Sequence, residues 1–129
     1  MTHIPAALRR LVIARAANRC EYCGLAQLSQ VAAFHIDHVV PVVAGGQTIE
    51  GNLALACVSC SLQAARQTAT DPETGHAAAI FNPRLEDWHN HFHWDGVVLT
   101  GTTAVGRATV EALALNRPAV LLIREEESY

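Results

Sequence analysis

Cys20-Glu21-Tyr22-Cys23-Gly24, Phe34-His35-Ile36-Asp37-His38-Val39-Val40-Pro41 and Cys57-Val58-Ser59-Cys60 form the stretch on which the reading of this chain turns. Its outer members are two Cys-x-x-Cys pairs with thirty-three residues between them. Two such pairs can supply four thiolates in a tetrahedral arrangement, which closes the shell of one Zn²⁺ and leaves no position open for a substrate. A closed shell is a folding device, because metal binding adds free energy that a short loop-rich segment lacks. The spacing therefore predicts a structural zinc held by Cys20, Cys23, Cys57 and Cys60. A redox pair and two unrelated buried cysteine pairs are the competing readings; two matched pairs argue against the first.

Outward from this stretch, Pro5 to Asn18 reads as a helix. Pro5 suits a first turn, and Ile4, Leu8, Leu11 and Val12 recur at helical spacing. Val31 to Val43 is rich in β-branched residues and reads as one or two extended segments broken near Pro41, with a loop at Gly45-Gly46. Leu53 to Cys57 is a short extended piece, and a helix is expected from about Ser59 through Arg66. Downstream, Asp71 to Gly75 reads as a turn and Trp88 to Leu99 as a hairpin turning at Asp95-Gly96. Thr102 or Thr103 can cap a helix running to Leu115, ended by Asn116-Arg117-Pro118. Ala119 to Glu127 reads as a last helix fraying into an acidic tail. No internal repeat or low-complexity linker interrupts the chain.

The 129 residues have the length of one ordinary domain, and half are hydrophobic, enough for a core. Aromatics are scarce, so Ala, Val, Leu and Ile must fill that core. Arginine supplies all the positive charge. Residues 1–66 carry five arginines against three acids, and residues 67–129 carry four against nine. A polyanion should thus meet the N-terminal half, although small imbalances of this kind are also common without one. The overall charge of -3 is not that of a strongly basic, nonspecific nucleic-acid binder. The apolar run Ala119–Ile123 is too short to span a membrane. The N-terminus lacks a signal-peptide pattern, so a cytoplasmic location is expected by default. In a reducing compartment paired cysteines are metal ligands more often than disulfides.

Between the cysteine pairs the order is a strand ending in Asp37-His38, then Pro41, Gly45-Gly46 and Asn52-Leu53, with the second pair opening a helix. In this order and spacing, over about residues 18–66, the sequence resembles the HNH endonuclease family. The resemblance implies a ββα-metal fold, two short strands and a helix around a divalent ion. It also implies that Asp37 is a metal ligand, that His38 is the general base, and that Asn52 shapes the loop and orients the histidine or the metal. The chemistry is consistent with those roles. Phosphodiester hydrolysis needs a cation at the scissile phosphate and a base for water. An imidazole with an ordinary pKa near ~6.5 suits the second task, and a carboxylate is a hard ligand for Mg²⁺ or Mn²⁺. Taken alone, an Asp-His dipeptide is usually a surface polar pair. His35 shares the strand face of Asp37 and either lines the site or is a packed histidine, the second being the more ordinary expectation.

The family usually has Asn or His directly after the second cysteine pair, as the second ligand of the catalytic ion. Here that residue is Ser61, a neutral and weaker ligand, and the basic residue often found three positions later is Ala64. His89, His91 and His93 alternate downstream. On a strand they share one face, and His91 is the candidate to reach the metal or phosphate; a solvated polar face is the plainer alternative. Phe81-Asn82-Pro83-Arg84, Trp88-x-x-His91-Phe92-x-Trp94 and Gly106-Arg107-Ala108-Thr109-Val110 resemble a bacterial HNH branch with a C-terminal extension. Arg15, Arg19, Arg66 and Arg84 are candidate nucleic-acid contacts, as is Arg107.

These readings combine into an α+β chain, taken as a single HNH-type domain over 1–129. Its zinc-stapled ββα-metal core lies at about 18–66, after an N-terminal helix. A hairpin-plus-helices extension follows at about 76–129. The expected activity is divalent-metal-dependent hydrolysis of DNA. The alternative is a zinc module with weak or no catalysis that binds nucleic acid or a protein.

Overall fold

The computed structural model describes residues 3–64 and 66–127. The contacts divide the chain into two compact units, Met1–Ala65 and Arg66–Tyr129. Each combines helices with small antiparallel sheets, so the α+β class holds.

In the first unit, α1 spans Ala6–Arg15 and follows Pro5, whose fixed φ suits the entry to a helix. It ends where Ala17 and Asn18 turn left-handed, at φ 53° and 57°. Val12 is its buried residue, and Arg15 reaches from its last turn to donate to the carbonyl oxygens of Glu50 and Leu53. β1 (His35–His38) pairs antiparallel with β2 (Leu53–Ala56), with Asp37 opposite Ala54 and His38 opposite Leu53. All four residues of β2 are buried, and α2 (Val58–Ala64) follows directly. Residue 65, on the expected path of this helix to Arg66, lies outside the described residues. Val31 to Val43 is extended only over β1. Val42–Ala44 is instead a single 3₁₀ turn, because Pro41 precedes it and Gly45, at φ 93°, ends it.

The loop joining β1 to β2 is held by Asn52. Its side-chain oxygen accepts from the Val40 amide, and its nitrogen donates to the carbonyl oxygens of Val40 and Gln47. Gly46 must be glycine for this closure, since a Cβ there would lie 1.7 Å from the Val40 carbonyl oxygen. The first cysteine pair is tied to β2 by Glu21. Its amide donates to the Leu55 carbonyl, and its carboxylate accepts from the Leu55 amide. That double contact carries Cys20 and Cys23 to the chain that leads into Cys57.

The second unit contains two hairpins and two helices. β3 (Thr68–Thr70) pairs with β4 (Ala77–Ala79), and β5 (Phe92–Asp95) pairs with β6 (Val98–Gly101). α3 spans Ala104–Ala112 and α4 spans Pro118–Glu127. Thr103 caps α3 by accepting from the Gly106 amide. The core gathers Ile80, Phe81, Phe92, Leu99, Ala108, Leu113, Leu115 and Val120. The expected hairpin does turn after Asp95, but its first strand begins only at Phe92. Trp88–Asn90 is a 3₁₀ turn capped by the Asp87 carboxylate. This breaks the alternation expected to place His89, His91 and His93 on one strand face. α3 stops at Ala112 and not at Leu115, because Ala114 turns left-handed at φ 49°. The acidic residues Glu125–Glu127, where fraying is expected, belong to α4, and residues 128 and 129 lie outside the described ones.

Candidate metal centres and catalytic site

The four cysteine sulfurs converge. All are buried and lie within 4.8 Å of one another, and Cys23 and Cys57 Sγ are 3.8 Å apart. A tetrahedral Zn²⁺ with Zn–S bonds of about 2.3 Å separates its sulfurs by about 3.8 Å, so the donor set fits that ion in type, number and spacing. Burial pushes the Cys20 thiol well up, and the thiol of Cys20 pushes up that of Cys60. Contacts headed by that same thiol hold Cys23 and Cys57 down. Four thiolates this close repel one another, and a dication is the group that lets them ionise together.

Beside this cluster lies the Asp-His pair. Asp37 and His38 are the last two residues of β1. Burial raises the Asp37 carboxyl, against a lowering by its hydrogen bond from Ser61 and by the imidazoles of His35 and His38. Ser61, in α2, donates through Oγ to Asp37 Oδ1 at 2.9 Å. The same Oγ lies 2.9 Å from His35 Nδ1. His35 is exposed, which corrects the expectation of a packed histidine: the ring sits at the rim of the carboxylate, outside the core. His38 Nε2 is 2.8 Å from Thr48 Oγ1.

The structure thus brings Asp37, Ser61 and His35 together and sets His38 against Thr48, with Asn52 clasping the loop that carries Thr48. Thr48 was not legible in the sequence, since a single threonine between Gly46 and Asn52 has no pattern of its own. His35 was legible through its alternation with Asp37; its link to Ser61 was not.

The remaining candidates are placed otherwise. His91 belongs to the second unit, where Nδ1 lies 2.7 Å from Thr103 Oγ1 and Nε2 lies 3.0 Å from Glu86 Oε2. Both ring nitrogens are therefore engaged within that unit. Arg15 serves the backbone of Glu50 and Leu53, and Arg19 donates to the Gly24 carbonyl. Arg9 and Arg10 of α1 are exposed. Arg66 is exposed and Arg84 half-buried, both in the second unit. Arg107, a candidate phosphate contact by sequence, forms a two-pronged ion pair with Asp71 at 2.9 Å on each prong.

A hairpin and a following helix, with four converging cysteines that fit a zinc ion and an Asp-His pair between them, define a ββα module with a zinc-type cysteine site. Residues 20–65 match the family model for HNH endonuclease. No curated protein and no solved structure is a match to the chain. The family suggests nuclease-type activity and metal binding, and its members typically act on nucleic acid. Among the described residues no helix is long and apolar enough to cross a membrane.

Proposed function

We propose that the chain is a divalent-metal-dependent endonuclease that hydrolyses DNA phosphodiester bonds. The observation that carries this reading is the pairing at 2.9 Å of Asp37 with Ser61, with His38 held next in the strand by Thr48. Asp37 and Ser61 would hold Mg²⁺ or Mn²⁺. A bound ion of this kind neutralises charge on the scissile phosphate and on the leaving oxygen. In the tautomer whose Nε2 donates to Thr48 Oγ1, His38 would present Nδ1 as the nitrogen that takes the proton of the attacking water. Asn52 keeps the loop closed and so keeps Thr48 in place. In the first unit Arg9 and Arg10 would supply positive surface for the DNA backbone, with Arg15 and Arg19 as further phosphate contacts; Arg66 and Arg84 are phosphate-contact candidates of the second unit. The thiols of the zinc cluster must stay reduced, in keeping with a cytoplasmic protein.

One observation favours the second reading, a zinc module without catalysis: the hydroxyl of Ser61 is neutral and is already hydrogen-bonded to the carboxylate that would hold the ion. Nicking of supercoiled plasmid separates the two. With Mg²⁺ or Mn²⁺ added, the zinc-loaded protein should cut. His38→Ala should slow cutting by about 10²- to 10⁴-fold, the range for loss of a general base. If the native chain binds DNA yet never cuts with either ion, the catalytic reading is wrong.

A further inference from the structure

We propose that His35 is a third protein ligand of the ion at Asp37 and Ser61. The site would then take a first-row transition-metal ion, with Mn²⁺ as the representative, in preference to Mg²⁺. The inference rests on the reading of the site given above and deepens it.

Its basis is the spacing around one oxygen. Ser61 Oγ is 2.9 Å from Asp37 Oδ1 and 2.9 Å from His35 Nδ1. Ligands at neighbouring corners of an octahedron, each about 2.1 Å from the ion, are about 3.0 Å apart. The two separations therefore match those of adjacent ligands around one small dication. They arise from ordinary geometry. His35 and Asp37 are two residues apart on β1 and project from the same face. Ser61 lies in α2, just past the buried Cys60, and meets both from that side.

A cation among the three atoms would be bound by the Asp37 carboxylate, by Ser61 as a neutral hydroxyl that keeps its proton, and by His35 through Nδ1 in the tautomer that holds its proton on Nε2. His35 is exposed, so no apolar packing accounts for its orientation toward Ser61. Without it the described residues at this site offer one carboxylate and one neutral hydroxyl, a poor set for a dication. An imidazole nitrogen improves that set most for ions that accept nitrogen, which Mg²⁺ does least among the divalent candidates.

The test uses the zinc-loaded full chain, titrated with Mn²⁺ and read by the electron paramagnetic resonance of the free ion. Bound Mn²⁺ is then examined for nitrogen modulation in pulsed spectra. Native protein should bind one Mn²⁺, show modulation from an imidazole nitrogen, and release the ion only to a large excess of Mg²⁺. His35→Ala and His35→Gln should lower Mn²⁺ affinity by about tenfold or more and lose the modulation, with zinc content and circular dichroism kept. His38→Ala should leave Mn²⁺ affinity unchanged. If Asp37→Ala abolishes binding while both His35 variants bind within twofold of native, His35 is not a ligand and the endonuclease reading stands. If native protein binds no ion beyond zinc, or binds one indifferently to Asp37→Ala, both readings are overturned.

Discussion

The two units are of nearly equal length and reach stability by different means. Units of about 60 residues bury too little surface to be comfortably stable on apolar packing alone. The first unit gathers four cysteines that fit one zinc. The second has no cysteine at all and is held by buried polar anchors. Arg124 of α4 is 7% exposed; it donates to the carbonyl oxygens of Val97 and Leu115 and to the side chain of Asn116, and lies over the Trp94 ring. Asn116 in turn exchanges hydrogen bonds with both backbone groups of Leu99. Asp71 ties the β3–β4 turn to α3 through Arg107. A metal staple at these cysteines would leave the hairpin face of the first unit free for polar side chains. In the second, the polar side chains are themselves the staple.

Removing zinc should break this symmetry most. Apparent binding free energies of structural zinc sites reach about 10–16 kcal/mol, more than a small domain's whole stability. A strong chelator, or Cys57→Ser, should therefore unfold residues 1–65 and leave 66–129 protected. Hydrogen exchange resolved by peptide reads the two units separately in the full chain. Equal loss of protection in both would show that they do not stand independently, and the contrast would collapse.

Arg124→Met is the reciprocal experiment, with a smaller effect. The substitution keeps much of the apolar stem but leaves the buried carbonyl of Leu115 and the part-buried carbonyl of Val97 without this donor. An unsatisfied buried group costs about 1–3 kcal/mol. Denaturant unfolding followed by Trp88 and Trp94 fluorescence, both in the second unit, should show a loss of at least about 1 kcal/mol. Zinc content should not change.

The two kinds of staple were not equally legible. Cysteine spacing is local and chemically distinctive, and it revealed the first unit's frame; the order Asp37-His38, Gly45-Gly46, Asn52 supplied the hairpin. Arg124 stands before three glutamates, where it reads as one more charge on a solvated helix end. Only the turn that brings α4 beneath Val97 makes it a core residue. Arg107 likewise reads as a phosphate contact until the β3–β4 hairpin is known. That hairpin leaves no mark in the sequence because its strands are three residues long, Thr68–Thr70 and Ala77–Ala79, too short to show a periodicity. At the site the same limit applied. Ser61 and His35 are separated by 26 positions, and no local pattern announces their contact.

The smallest effect concerns two aspartates whose environments differ in sign. In the second unit the Arg107 guanidinium beside Asp71 holds its carboxyl well below the usual range, helped by the Glu73 amide and the Thr74 hydroxyl. In the first unit burial raises the carboxyl of Asp37. A carboxyl depressed on folding contributes stability that is fully present above its unfolded pKa, near ~3.9, and is lost as pH falls through the lower folded value. Asp71→Asn should thus weaken the second unit at neutral pH and flatten the decline of its stability below about pH 4. Asp37→Asn replaces a half-buried charge by a neutral group of the same shape that Ser61 can still reach. Without added divalent ion it should leave the melting temperature of the zinc-loaded protein unchanged or raised. Thermal unfolding of both variants between acid and neutral pH decides the matter. Opposite responses mark Asp71 as a carboxylate that the fold needs charged, and Asp37 as one that the fold tolerates charged for the sake of its site. A fall in melting temperature for Asp37→Asn as large as for Asp71→Asn would make Asp37 a structural residue, and the division of labour between the units would fail at its central residue.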